Sequence, residues 1–156
     1  MPSKVRVKSN LKGLEQLQKN LKTNLVAKVG VFGDDNNRGD GLTNSEVGAA
    51  HEFGVLSDGI PRRSFLRDPI QLKRKRLLKE AQGIIKANIV KEDGAQKIFE
   101  LIGIMGEAIV QEAFETGGFG TWEPLSDKTI AKKKSESILI DTSQLRGSIT
   151  SKAEKR

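Results

Sequence analysis

Val26-Ala27-Lys28-Val29-Gly30-Val31-Phe32-Gly33 is the stretch of this sequence that does most to decide its fold. It is rich in β-branched residues and ends in glycine, which predicts a central β-strand. The alternation of charge and valine around Val5 predicts a second strand, and Ile138-Leu139-Ile140 predicts a third. A last strand is expected to begin at Ser148-Ile149-Thr150. The predicted sheet therefore combines the Val5, Val29 and Ile140 regions.

Apolar residues at helical spacing predict two long helices. The first runs from about Pro69 to near Asn88, and the second from a capping box at Asp93 and Gln96 to Gly117. The residues that they are expected to bury are Leu77, Leu78, Ala81, Ile84 and Ile85 in the first, and Ile98, Ile102, Met105, Ile109 and Ala113 in the second. We therefore expect an α+β fold, in which a small, mainly antiparallel sheet packs against two long helices.

Two shorter helices are predicted nearer the N-terminus. Asn10 is the expected N-cap of the first, and Thr43 and Glu46 form a capping box that opens the second. The apolar stripe of the first helix is Leu14, Leu17, Leu21 and Leu25. This spacing places the four leucines on one face.

The composition fits one globular domain. The chain has 156 residues, of which 36% are hydrophobic and none is cysteine, so a disulfide framework and thiolate metal sites are excluded. Residues 1–150 are expected to form the domain, with mobile loops at 34–41 and 117–121 and a frayed tail at 151–156. The most apolar run, 98–110, is too short and too charged to cross a bilayer, so no membrane partner is expected.

The net charge of +7 is concentrated between residues 60 and 79. The basic residues there are Arg62, Arg63, Arg67, Lys73, Arg74, Lys75, Arg76 and Lys79. Such a patch attracts phosphates and would make nucleic-acid binding depend on salt. Aromatic side chains that could stack on bases are nearly absent from it, and a solvated helix face is the simpler interpretation.

No catalytic, cofactor-binding or metal-binding residue is predicted. Residues 138–143 have the pattern with which aspartic proteases present a carboxylate, but one copy would need a homodimer and a helix-capping pattern follows it. His51, beside Glu52, has no second imidazole to share a metal, so a structural role is expected. The 34–41 loop does not fit a calcium loop, because Arg38 would occupy a ligand position.

Five separated motifs occur in one order along the chain. They are Val29-Gly30-Val31-Phe32, Glu46-Val47-Gly48-Ala49-Ala50-His51-Glu52-Phe53-Gly54, Ile60-Pro61-Arg62-Arg63-Ser64-Phe65-Leu66-Arg67, Trp122-Glu123-Pro124-Leu125-Ser126 and Leu139-Ile140-Asp141-Thr142-Ser143-Gln144-Leu145-Arg146-Gly147-Ser148-Ile149. Together, over about residues 26–150, they resemble the tail-component and virion-morphogenesis proteins of tailed bacteriophages. Those small proteins act at the head-to-tail junction or complete the head-proximal end of the tail.

The resemblance implies a structural protein of a tailed phage or prophage that is not an enzyme and has no cofactor. It is expected in the virion, after assembly in the cytoplasm of the bacterial host. Protomers are expected to form a ring, with six as the expected number, between neighbouring connector or tail proteins and with DNA as a further contact. The alternative, from another class, is a small basic nucleic-acid-binding protein that uses residues 62–79.

The resemblance and the two loops also lead to residue roles. Residues expected to order on assembly and to contact a partner are Asp34, Asp35, Arg38, Asp40, Phe119 and Trp122, with a core position as the alternative for Trp122. Residues for which the resemblance implies a structural role are His51, Glu52, Phe53, Gly54, Pro61, Arg62, Phe65, Leu66, Asp141, Thr142 and Leu145. Family members often have Pro-Arg-Pro where this chain has Arg62-Arg63-Ser64, and Asp-Thr-Gly where it has Asp141-Thr142-Ser143.

Overall fold

Helices surround a two-stranded antiparallel sheet in the computed structural model, which describes residues 11–33, 38, 41–133, 138–139 and 143–156. The elements are α1 (Leu11–Leu21), β1 (Leu25–Val31), α2 (Asn44–Phe53), α3 (Arg67–Leu72), α4 (Arg74–Asn88), α5 (Gly94–Glu115), α6 (Gly117–Gly120), α7 (Asp127–Lys133), α8 (Gln144–Gly147) and β2 (Ile149–Lys155). The predicted α+β class is confirmed. The predicted strand around Val5 lies outside the described residues.

The sheet joins β1 to β2, in a register that runs from Leu25 opposite Lys155 to Val31 opposite Ile149. The predicted strand at residues 26–33 is therefore confirmed, whereas the frayed tail predicted at 151–156 is wrong. The inner face of β2 carries small residues, Ser151 and Ala153, and its other residues are mostly charged. Because of that composition, β2 lacks the apolar alternation that identifies a strand.

Helix α5 lies across the sheet at close range. A Cβ atom on Gly103 would lie 3.1 Å from the Cβ of Ser151, and one on Gly106 would lie 2.9 Å from Cγ2 of Val29. The two glycines thus let the helix backbone approach both strands. The prediction that Ile98, Ile109 and Ala113 are buried is confirmed, while the predicted capping bond at Asp93 is absent and Asp93 has a left-handed φ of 50°.

An aromatic cluster forms the centre of the core. The Phe114 ring lies 5.3 Å from the Phe65 ring and 5.7 Å from the Trp122 ring, which it meets edge to face. Such pairs add about 0.5–1.5 kcal/mol beyond the burial of their area. Leu145 and Ile149 complete the cluster, so the chain entering β2 is packed against the same rings.

Two other predicted elements need correction. Ile138 and Leu139 lie in a turn rather than a strand, with Leu139 at a φ of 59°, and Ile140 lies outside the described residues. The predicted basic helix over 69–88 is two helices, α3 and α4, which meet at Lys73. Helix α4 packs on α5 through a face that includes the buried Ala81. Leu78 and Ile85 lie outside this contact and are exposed, against prediction.

The side chain of Asn20 attaches α1 to the turn that joins α4 and α5. The amide of Asn20 donates to the carbonyls of Ile89 (2.7 Å) and Lys91 (2.9 Å) and accepts from the backbone N–H of Ala95 (3.3 Å). These bonds fasten α1 to the turn between α4 and α5 through the Asn20 side. Of the predicted leucine stripe, Leu17 and Leu25 are half-buried, whereas Leu14 and Leu21 lie about 100° further round the helix from Asn20 and are exposed.

We expect Gly94→Ala to destabilise the fold by about 1–3 kcal/mol, because its Cβ would lie 2.1 Å from the carbonyl oxygen of Asn88 and 2.9 Å from Nδ2 of Asn20. Gly83→Ala is the control: no atom lies within 4 Å of its Cβ position in α4, so it should stabilise by about 0.5–1 kcal/mol. Urea unfolding measures both. Equal effects of the two substitutions would contradict the tight turn at Gly94.

Candidate functional site

The buried carboxylate of Glu52 organises the region where the sequence motifs meet. It accepts hydrogen bonds from the Ser64 hydroxyl (2.7 Å) and from the backbone N–H groups of Phe65 (2.9 Å), Leu66 (3.0 Å) and Arg67 (3.2 Å). A carboxylate at the N-terminus of α3 satisfies donors that the helix leaves without partners. We call these five residues the Glu52 cluster.

The cluster extends to the fourth motif through Arg63 and Trp122. The Arg63 guanidinium donates to the backbone carbonyls of Glu123 (2.9 Å) and Pro124 (3.0 Å), and the indole N–H of Trp122 donates to the carbonyl of Ser64 (2.9 Å). Burial lowers the pKa of the Arg63 guanidinium. The second, third and fourth motifs are therefore joined by hydrogen bonds between buried groups.

Phe65 connects the same region to the fifth motif. A Cβ on Gly48 would lie 3.3 Å both from the Phe65 ring and from Cδ1 of Leu145, so α2 needs a small residue there. Ser143, just before α8, has a left-handed φ of 59°. Glycine is the residue that adopts such a φ without strain.

The remaining motif residues have different surroundings. Gly54 ends α2 at a φ of 76°, and Arg62 pairs at the surface with Asp68, whose pKa this contact lowers. Leu66 packs against the core, while Phe53 is exposed on α2. His51 accepts a backbone bond from Arg63 through its carbonyl oxygen (2.7 Å). Asp141 and Thr142 lie outside the described residues.

A cavity of 490 Å³ lies beside the Glu52 cluster. Its lining includes His51, Pro61, Arg63, Pro124 and Leu145. Four of the motifs therefore contribute to one wall. The walls combine apolar side chains with the two arginines Arg38 and Arg63.

The partner-contacting residues predicted in the two loops are not gathered into one surface. Trp122 is buried in the aromatic cluster, so the expectation that it anchors a partner is wrong and the core alternative is correct. Phe119 packs against the core and lies 4.0 Å beneath the Lys73 ammonium. Arg38 donates to the side chain of Asn44 (3.1 Å). Asp34, Asp35 and Asp40 lie outside the described residues.

The glycine-rich segment 117–121 is ordered, against the prediction of a mobile loop. The four residues of α6 all have positive φ: Gly117, Gly118, Phe119 and Gly120, at 60°, 67°, 59° and 79°. They form a left-handed turn, which glycine adopts without steric cost. A Cβ on Gly118 would overlap the Trp122 ring at 2.3 Å. The glycines therefore serve packing.

Several members of the predicted basic patch are already engaged. Arg63 is buried, and Arg62 pairs with Asp68. Arg76 contacts Glu112 on α5 (2.9 Å) and Glu80 (3.3 Å). Within the described part of the chain, the members that form no ion pair include Arg74, Lys75 and Lys79, which are exposed on α4. The patch available to a partner is thus smaller than the sequence suggests.

Large apolar side chains are exposed on several helices, among them α1, α4 and α5, a feature that sequence reasoning missed. The exposed fractions are 63%, 61% and 69% for Leu11, Leu14 and Leu21 on α1, 52% and 39% for Leu78 and Ile85 on α4, and 55% for Ile104 on α5. The periodicity of each helix was visible in the sequence. Periodicity identifies an apolar face, but it does not tell whether the same chain covers that face.

Comparison of the chain with family models, with curated proteins and with solved structures gives no match. In the part of the chain that the structure describes, no helix combines the length and apolarity of a membrane span. The same residues contain no group of three or more side chains suited to hold a metal ion.

We expect Glu52→Gln to destabilise the fold by about 2–4 kcal/mol, because the amide nitrogen would face backbone N–H donors that the carboxylate now accepts from. Glu46→Gln is the matched control, since Glu46 also receives a capping bond but is exposed, and its effect should be much smaller. Chemical unfolding of both variants tests this. Equal losses in the two variants would show that burial of the Glu52 carboxylate among four donors adds nothing to its effect on stability.

Proposed function

We propose that this chain is a non-enzymatic structural protein of a tailed phage or prophage, which assembles into a ring for head–tail joining or completion of the head-proximal tail end. The observation that carries the proposal is the set of exposed apolar side chains on α1, α4 and α5. Exposed apolar patches mark interaction sites in proteins. Assembly proteins need such surface, since each subunit contacts its neighbours on different sides.

The arrangement of the motifs supports the same proposal. The residues that carry the family resemblance are separated by up to about ninety positions, yet Glu52, Arg63, Trp122 and Leu145 meet around Phe65. Ser143 adopts the backbone conformation that explains the usual glycine of the family. The motif residues therefore act together in one fold, and residues with such a shared role are the ones that a structural family would preserve.

Electron microscopy of particles made without this protein tests the role. Disruption of its reading frame in the phage or induced prophage should yield separate filled heads and unattached tails, or abnormally long tails if the protein ends tail growth. Complementation with the intact gene should restore infectious particles. Normal particles after disruption would overturn the proposal.

A second candidate function, nucleic-acid binding, is favoured by one observation. Lys75, Lys79 and Lys86 are spaced by four and seven residues on α4, so they share one exposed face. In a ring, such a face could line the path of DNA, and in isolation it would bind phosphates weakly and without sequence preference.

Triple substitution of Lys75, Lys79 and Lys86 by Glu should reduce DNA affinity. The slope of log affinity against log salt concentration should also decrease in magnitude, by the amount expected for about three phosphate contacts. Substitution of Lys12, Lys19 and Lys22 by Glu changes the net charge equally and is the control. Titration of a fluorescent duplex at several salt concentrations measures both. Equal losses in the two variants, or no binding by the wild type, would exclude a specific role for this face.

A further inference from the structure

Arg63 carries a buried positive charge that has no bonded acid among the described residues. The residue is 6% exposed, and its guanidinium donates only to two backbone carbonyls, those of Glu123 and Pro124. The charge of Glu123 acts on it, but that side chain is exposed and forms no ion pair with it. A buried charge is costly unless an opposite charge is bonded to it. The guanidinium therefore favours an anionic partner from outside the chain.

One edge of this guanidinium is left for such a partner. The two carbonyl bonds use the edge formed by Nε and Nη2, and the planar group has a second edge, formed by Nη1 and Nη2. Nη1 takes part in neither bond and is not sealed from solvent. Arg63 lines the 490 Å³ cavity beside the Glu52 cluster. A carboxylate inside the cavity can therefore accept two parallel hydrogen bonds from the second edge.

A large part of the cavity lining is apolar. It includes Val47, Ile60, Pro61, Leu125 and Leu145. Pockets that bind organic ligands combine such a lining with a few polar groups that fix the orientation, in a volume of about 300–1,000 Å³. A free phosphate ion has no apolar part to cover these side chains, whereas an acidic residue between aliphatic residues offers both a carboxylate and apolar surface.

The other charged side chains of the lining differ from Arg63 in exposure. Arg38 is half-buried and adds a second positive charge, whereas Asp58 and Glu123 are exposed. The Asp58 carboxylate already accepts a hydrogen bond from the Ser57 hydroxyl (3.0 Å). Water and salt screen exposed charges far more than buried ones. The sign that a ligand meets inside the cavity is therefore decided by the buried guanidinium, and it is positive.

We propose that this cavity binds an acidic side chain of a partner protein, presented between aliphatic residues on a peptide segment. The Arg63 guanidinium receives the carboxylate, and the apolar walls cover the neighbouring aliphatic side chains. Long-range charge acts in the same direction, because the chain has a net charge of +7 and attracts an acidic partner. The site is independent of the virion role, since any partner with such a segment can use it.

Trp122 reports on the cavity, because it is the one tryptophan of the chain and the two residues that follow it line the cavity. Its fluorescence in the full chain is titrated with the peptide acetyl-Leu-Glu-Leu-amide. The matched neutral probe is acetyl-Leu-Gln-Leu-amide, which keeps the size and the apolar residues. We expect saturable binding of the glutamate peptide and about 10-fold weaker binding of the glutamine peptide, since only the carboxylate forms charge-assisted bonds with the guanidinium.

Gln144→Glu tests the site while Arg63, which also holds residues 123–124, stays in place. Gln144 is exposed, lines the cavity and is the first residue of α8, where a carboxylate is favourable. The new carboxylate repels that of the ligand, so the glutamate peptide should bind about 5-fold more weakly. Gln82→Glu is the control: it adds the same charge at an exposed position of α4 outside the lining, and it should bind like the wild type.

Three results would overturn the proposal. They are no saturable binding of the glutamate peptide, equal binding of the two peptides, and equal weakening by Gln144→Glu and Gln82→Glu. Sodium phosphate is a further probe at constant ionic strength: binding tighter than that of the glutamate peptide would make the cavity a site for free anions and the peptide partner wrong. Circular dichroism of both variants confirms that the fold is intact. None of these results decides the virion role, which particle morphology tests.

Discussion

The buried carboxylate of Glu52 is the interaction on which the arrangement of the other motif segments depends. Burial of a charge costs several kcal/mol unless hydrogen bonds replace its hydration. Here four donors from residues 64–67 do so. They hold the segment before α3 against α2. In that position, Arg63 donates hydrogen bonds to the carbonyls of residues 123–124, and the Ser64 carbonyl accepts one from the Trp122 indole. One side chain on α2 thereby fixes the segment before α3 and, through it, residues 122–124.

Local sequence patterns predicted the helices and strands that are determined by neighbouring residues. The strand at 26–33 and the apolar side of α5 follow from β-branched composition and helical spacing, and the capping box at Thr43 and Glu46 follows from four residues of sequence. The start of strand β2 near Ile149 was predicted, but its continuation to Lys155 was not, because its burial comes from pairing with distant β1 and from small side chains beneath α5. Its own residues carry little apolar signal.

In the candidate site, too, the sequence indicated which residues matter but not which distant residues they contact. The motif order pointed to structural roles for Glu52 and Phe65, but nothing near residue 52 shows that its carboxylate would meet the backbone of 65–67. Trp122 was ambiguous because a large aromatic residue suits both cores and interfaces. The exposure of the α1 leucines was unpredictable for a similar reason, since it follows from the docking of Asn20 onto a turn about seventy residues away.

The pairing of β1 with β2 has a consequence for the synthesis of the protein on the ribosome. Each partner in the sheet lies more than a hundred residues from the other along the chain. Loop closure over that distance is slow, and β1 stays unpaired until residues 149–155 have been synthesised. During that interval the valine-rich edge of residues 25–31 is open to other nascent chains. A helical bundle of the same length, whose contacts are local, leaves no such strand edge open during synthesis.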